Sequence, residues 1–232
     1  MLKKLLKYCS FSILFIFIAC APKPKLLPPP LYQDTELSLE EIILKAGSGL
    51  DSLKAISKIT VEKNDKHFST FSASSLIKKP DWVHMRVYQL GMLVRDFVIK
   101  DNILYVLSGK KDLNLKSFGR EMHNAIFWWE DIHDGSMTVK NDTYIIRSIH
   151  KELHLDRDTL LPLKQIIRSE QGLIEMTYEE PKETDGYWYN SIIEFSLNEF
   201  KFSVKLKKLI KNPSLDEADF KVEEKIQIKD KK

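Results

Sequence analysis

The chain changes its hydrophobic rhythm along its length. From Ser38 the pattern is helical: Leu39, Ile42, Ile43, Leu50 and Leu53 recur near helical periodicity, and Ser38-Leu39-Glu40-Glu41 has the spacing of a capping box. The spacing predicts a helix over Leu39 to Ile56, weakened in its middle by Gly47 and Gly49. Alternation then takes over. Ile59 and Val61 begin it, Phe68, Thr70 and Ser72 continue it, and Trp82, His84, Arg86 and Tyr88 alternate with Val83, Met85 and Val87. Further strand-like runs cover Met92 to Lys100, Ile103 to Leu107, Met137 to Val139, Tyr144 to Ile149, Glu152 to Leu155, Leu163 to Ser169, Leu173 to Tyr178, Trp188 to Phe195 and Phe200 to Leu209. Asp-Asn, Asn-Asp, Gln-Gly and Asp-Gly pairs separate them, which are residues of tight turns. The pattern predicts about ten short strands in an antiparallel meander. One helical stretch, Arg120 to Ile132, interrupts it and carries Met122, Ile126, Phe127, Trp128 and Trp129.

The beginning of the chain follows a different logic. Lys3, Lys4 and Lys7 precede an apolar run from Phe11 to Ala19 that is too short to span a bilayer, so it reads as an export signal. Hydrophobicity stops at Cys20. The next stretch, Ala21 to Tyr32, holds five prolines and two lysines and cannot build helix or sheet. Phe17-Ile18-Ala19-Cys20 resembles a bacterial lipobox, although Phe17 stands where leucine is usual; the alternative is an ordinary secretory signal followed by an unrelated cysteine. The lipobox resemblance implies that acyl chains on Cys20 hold the mature protein at a membrane, since a bilayer retains two or more chains far more firmly than one. Ala21 is not the aspartate that, in the enteric sorting rule, retains lipoproteins in the inner membrane. The implied address is therefore the outer membrane, with the domain facing the periplasm. The expected organisation is a signal at 1–19, a lipidated Cys20 and Pro-rich tether at 20–36, one folded domain at 37–224 and a charged tail at 225–232.

Charge and cysteine usage narrow the function. The formal charge of +3 resides in the signal: setting its three lysines aside leaves 33 basic against 33 acidic residues. A neutral domain lacks the basic face that displaces counterions from phosphates, which argues against nucleic acid as a partner. The two cysteines are Cys9 and Cys20, so the domain has no thiol for a disulfide, a nucleophile or a metal ligand. Other candidate chemistry is thin. His150 and His154 fall in an alternating segment that would hold them roughly 13 Å apart, too far for one ion. Glu130-Asp131-Ile132-His133-Asp134 reads as a solvated acidic helix end running into Gly135, and Glu179-Glu180 as exposed carboxylates in a loop before Pro181. There is no Gly-x-Ser-x-Gly turn and no glycine-rich phosphate loop. Neither catalytic residues, a metal site nor a cofactor is expected.

One helix, a long meander, an internal helix and a closing Asp-Phe segment resemble the LolA/LolB lipoprotein-carrier superfamily over about Leu39 to Val222. Lys79-Pro80-Asp81-Trp82-Val83-His84-Met85-Arg86-Val87 is similar to the family's Lys-Pro stretch followed by an alternating strand. Gln89-Leu90-Gly91 is similar to the Pro-Leu-Gly hairpin turn of the LolB receptors, with Gln89 in place of the proline. Val204 to Leu209, followed by Asn212 to Phe220, matches the late strand, acidic loop and phenylalanine. The resemblance implies a mainly β fold with helices (α+β): an incomplete antiparallel β-barrel enclosing a helical lid over an apolar cavity.

Two sets of residues follow as candidates. The resemblance implies that Leu90, with Gly91, Met92 and Leu93, forms a loop that enters membrane or a partner. Independently, an apolar side chain at a hairpin tip cannot reach its own core and is costly unless it meets lipid or protein; the alternative is that Leu90 folds back onto a neighbouring helix. Phe127, Trp128 and Trp129, with Trp82 and Trp188, are candidates to line an acyl-chain cavity, or else are core fillers of a half-barrel. The expected function is non-enzymatic: binding of acyl chains and delivery of lipoproteins or lipids to the outer membrane, with membrane lipid, acylated cargo and a separate periplasmic carrier as partners. The alternative is a scaffolding lipoprotein whose half-barrel docks an envelope complex without carrying lipid.

Overall fold

The computed structural model of the chain describes residues 36–47, 49–110, 114–169 and 172–222. The signal, Cys20, all of the tether but Glu36, and the charged tail lie outside the described residues. Twelve strands form one antiparallel sheet: β1 (Ser52–Lys63), β2 (Lys66–Lys78), β3 (Trp82–Gln89), β4 (Met92–Lys100), β5 (Ile103–Ser108), β6 (Ser136–Lys140), β7 (Thr143–Arg147), β8 (Lys151–Asp156), β9 (Pro162–Ser169), β10 (Gly172–Thr184), β11 (Tyr187–Leu197) and β12 (Phe200–Lys211). Their order is β5-β4-β3-β2-β1-β12-β11-β10-β9-β8-β7-β6. The chain thus starts mid-sheet, walks out to β5, crosses to the far edge at β6 and walks back until β12 pairs with β1. The edges β5 and β6 do not pair with each other, so the barrel stays open.

The central seam joins residues far apart in sequence. Leu53 opposes Lys211 and Lys63 opposes Phe200, with a bulge beside Ile56 and Ser57. Asn212 clasps the end of this seam: its Oδ1 accepts N–H bonds from Asp51 (2.9 Å) and Ser52 (3.2 Å), and its Nδ2 donates to Gly49 O at 2.6 Å. Burial alternates as a one-sided sheet requires. Leu53, Ala55, Ile59 and Val61 of β1 join the core, while Lys54, Ile56 and Lys58 point out.

Among the described residues two helices occupy the concave side. α1 (Leu39–Gly47) begins with the capping box expected from sequence: Ser38 N donates to Glu41 Oε2 at 2.8 Å and Glu41 N to Ser38 Oγ at 3.3 Å. The backbone bond from Ser38 is the main reason the Glu41 carboxyl is held below its usual range. α1 stops nine residues earlier than the period predicts, at Gly47 and not at Ile56. A Cβ on Gly47 would lie 2.8 Å from the Trp129 indole nitrogen, Gly49 turns the chain at φ +71°, and Leu53 belongs to a period-two strand that had been counted into the helix.

α2 (Asn114–Ile126) crosses the bowl, touching β3, β4 and β5 on one half and β11 on the other. It lies six residues earlier than the expected Arg120 to Ile132. Phe118, Met122, Ala125 and Ile126 share its buried face, whereas Phe127, Trp128 and Trp129 are three consecutive buried aromatics, which no single helical face can bury. They form a turn instead, and Glu130-Asp131-Ile132-His133-Asp134 continues that turn and does not end a helix. Glu179 and Glu180 also depart from expectation. They lie within β10, and Glu180, at φ +54°, pairs with Lys205 at 2.8 Å.

Candidate functional site

Three hairpins, β1–β2, β3–β4 and β11–β12, turn at the same end of the sheet, where α2 also begins. Between them opens a cavity of about 360 Å³, at the lower end of the range for small-molecule sites. Its walls are apolar and dominated by six phenylalanines: Phe68 and Phe71 from β2, Phe97 from β4, Phe118 from α2, and Phe200 and Phe202 from β12. Phe97 is fully buried and forms the floor. Phe118 packs 5.0 Å from Phe202 and 5.6 Å from Phe195, and Phe68 meets Phe200 edge-on at 5.9 Å. Phe68, Phe200, Phe202 and Phe118 thus run ring to ring along one side of the hollow, with Phe71 and Phe97 set apart from them.

Polar groups hold the rim. Asn198 Nδ2 donates to Asn114 Oδ1 at 3.2 Å, tying the β11–β12 turn to the start of α2, and Gln89 Nε2 donates to Ser69 Oγ at 2.9 Å across β2 and β3. Lys63 pairs with Glu199 at 2.7 Å and lies 5.1 Å from the Phe200 ring. On β4, Arg95 lines the cavity half-buried, its Nη1 donating to Val94 O at 2.7 Å.

The β3–β4 hairpin stands on this rim. Its two-residue turn is Leu90-Gly91, with φ of +51° and +80°, the sign that a type I′ turn demands at both positions. Glycine takes this conformation freely; leucine does so at about 1–2 kcal/mol. Leu90 is 93% exposed, so it does not fold back onto a helix, and Met92 and Leu93 beside it are 66% and 43% exposed. A strained backbone that presents an apolar side chain to solvent gains nothing for the fold.

The five aromatic residues expected to line a cavity are placed elsewhere, and none of them lines this one. Phe127 and Trp129 are buried core, edge-on at 5.7 Å, and Trp128 meets Trp129 at 5.3 Å. Trp128 and Trp188 line a narrow cleft at the far end of α2 of only about 30 Å³, room for a water and not for a chain. Trp82 belongs to the outer face of β3, because Val83, Met85 and Val87 take the inner one. There it packs 5.4 Å from Phe220 of a 3₁₀ turn (Glu217–Phe220), under the Lys100 ammonium at 3.8 Å. The six cavity phenylalanines carried no special signal in sequence, since four separate elements bring them together.

Beneath the C-terminal half of α2 the bowl is filled and partly polar. Tyr178 donates from its hydroxyl to Gln165 Oε1 at 3.2 Å, and burial, then the nearby Glu121 charge, keeps it protonated well above the usual tyrosine range. Lys151 is buried and donates from Nζ to Glu130 O at 2.7 Å, pinning the aromatic turn. Burial lowers its pKa. His123 packs 4.7 Å from the Phe127 ring with Nε2 buried and unpartnered, and burial, reinforced by the Lys151 charge, lowers its pKa from 6.5 to about 4. His154 is engaged with Glu152 at 2.7 Å. Among the described residues no group of three or more His, Cys, Asp or Glu side chains could hold a metal ion, and no helix is long and apolar enough to cross a membrane.

An open twelve-strand half-barrel with helices on its concave side and a cavity at one end defines a LolA/LolB-like fold. Solved structures place it there. A LolA superfamily protein from Nitrosomonas europaea is similar over 81% of this chain and 99% of its own, at 14% identity and a TM-score of 0.57. A DUF1329 family protein from Desulfovibrio piger is similar over 79% of this chain and 95% of its own, at 10% identity and a TM-score of 0.52. No protein-family model and no curated protein matches the chain in sequence.

Proposed function

We propose that the protein binds acyl chains in the phenylalanine-lined cavity and hands them to a membrane through the Leu90 hairpin, without chemistry and without a cofactor. The observation that carries this reading is the juxtaposition of an apolar hollow with a strained, exposed leucine on its own rim. Each methylene sheltered from water contributes about 0.8 kcal/mol, so a chain seated among these rings is held well, and a leucine entering the bilayer beside it lowers the barrier to release. In this reading acyl groups on Cys20 anchor the protein, the proline-rich tether lets the hairpin reach the same bilayer, and the domain faces the periplasm at the outer membrane. The LolA-type fold supports a binding role of this kind. Cargo would be lipid or acylated lipoprotein, received from a separate periplasmic carrier.

The test is lipid extraction from the purified full-length protein followed by mass spectrometry. Wild type should carry acyl lipid in a stoichiometric amount. Leu115→Trp, which projects an indole into the cavity from the first turn of α2, should reduce it by about tenfold or more. An empty wild-type protein sinks the reading. A second reading, a scaffold that docks an envelope complex, draws on the filled half of the bowl around Phe127, Trp128 and Trp129. It predicts a lipid-free protein that retains a stable partner.

A further inference from the structure

The cavity wall is mostly apolar and carries one charge. Among its described lining residues Arg95 alone is charged, and no carboxylate among the described residues pairs with it. Arg95 opposes Val87 and Phe97 opposes Met85 across β3, which puts both on the inner face one pleat apart, with a bulge beside Arg95 where the register shifts by one. Its arm has a built seat. Gly109, at φ +93°, lies so close that a Cβ there would come within 2.9 Å of Arg95 Cδ and 3.2 Å of Arg95 Nη1. The bond from Nη1 to Val94 O fixes the guanidinium plane and leaves most of its five N–H donors unspent. A half-buried guanidinium on a mostly apolar wall gives up part of its hydration, which an anion replaces best, and the lowered local dielectric makes that pairing stronger than a surface ion pair.

We propose that the cavity selects an anionic amphiphile, an acyl chain lying on the phenylalanines with its carboxylate or phosphate head bound by Arg95. The proposal rests on the acyl-chain reading above and narrows it. The diacylglyceryl group of a lipoprotein has no anion at its head, so Arg95 favours free fatty acid or phospholipid as cargo over lipoprotein.

The test uses the full-length protein in detergent with three diazirine-bearing probes of equal chain length: palmitate, a lysophosphatidate and hexadecanol. After photolysis the labelled peptides are mapped. Wild type should label peptides of β2, β4 and β12 with palmitate or lysophosphatidate at least about tenfold more efficiently than with hexadecanol, the difference a charge-assisted bond supplies. Whichever anion labels better identifies the source of the head group. Arg95→Gln should abolish the preference; Arg95→Lys should keep part of it. Equal labelling of wild type by all three probes overturns the Arg95 assignment and leaves the acyl-chain reading standing. No labelling of these peptides by any probe overturns both. The wild-type comparison requires no variant to fold.

Discussion

Replacing Leu90 by asparagine should stabilise the protein and disable delivery at once. Leu90 sits at φ +51° with its side chain in solvent, so the folded state bears backbone strain of about 1–2 kcal/mol with no packing in return. Asparagine tolerates that conformation, and Asn-Gly is the preferred pair for a type I′ hairpin. Leu90→Asn should therefore raise the unfolding free energy by about 1 kcal/mol and the midpoint temperature by about 2–4 °C for a domain of this size. The leucine, being 93% exposed, has nearly its whole side chain available for the bilayer, worth about 1.5–3 kcal/mol when buried. Its loss should slow transfer of a fluorescent fatty acid from protein to vesicles by roughly ten- to a hundredfold. Leu44, 71% exposed on α1 and away from the rim, supplies the control: Leu44→Asn should leave transfer unchanged. Unaltered transfer in Leu90→Asn, or a protein less stable than wild type, would refute the reasoning.

Two further outcomes follow from His123 and Gly109. His123 titrates near 6.5 when unfolded and near 4 when folded, so between these values the unfolded chain takes up a proton that the native protein does not. Its neutral form favours folding fully above pH 6.5, and that contribution, about 3 kcal/mol, is lost as pH falls towards 4. His123→Phe should accordingly flatten the decline of urea midpoints between pH 7 and 4, and identical slopes in the two proteins would contradict the assignment. Gly109→Ala places a Cβ 2.4 Å from Val94 O at a φ that alanine avoids, and should lower stability by about 2 kcal/mol or more in urea titrations; an unchanged midpoint would show that β5 can shift away from β4.

The strands were readable because one face of the sheet meets the core and the other is more exposed, as Val83, Met85 and Val87 against Arg86 and Tyr88 illustrate. The Leu90-Gly91 turn was readable for a related reason: two residues between alternating runs, the second a glycine, leave little choice of geometry. Helix limits were not. Leu50 and Leu53 lie at helical spacing from Ile43 and Ile42, yet both are fully buried for different reasons, one in the turn after Gly49 and one in β1. The cavity was the least legible part. Aromatic bulk drew attention to Trp128 and Trp129, but consecutive large side chains fill space, whereas a hollow needs rings held apart on separate elements. That separation depends on the pairing of β1 with β12, a tertiary fact with no local signature.

The same pairing governs how the molecule can be assembled. A hydrogen bond from Asp51 to Asn212 spans 161 residues, and every bond of the central seam has a comparable reach. Until β12 has been synthesised, β1 and β11 are bare edges in the middle of what will be the sheet, and the cavity, whose walls come from both sides of that seam, cannot form. The cavity therefore does not exist before the closing strand is made, and completion of the sheet and of the cavity arrive together.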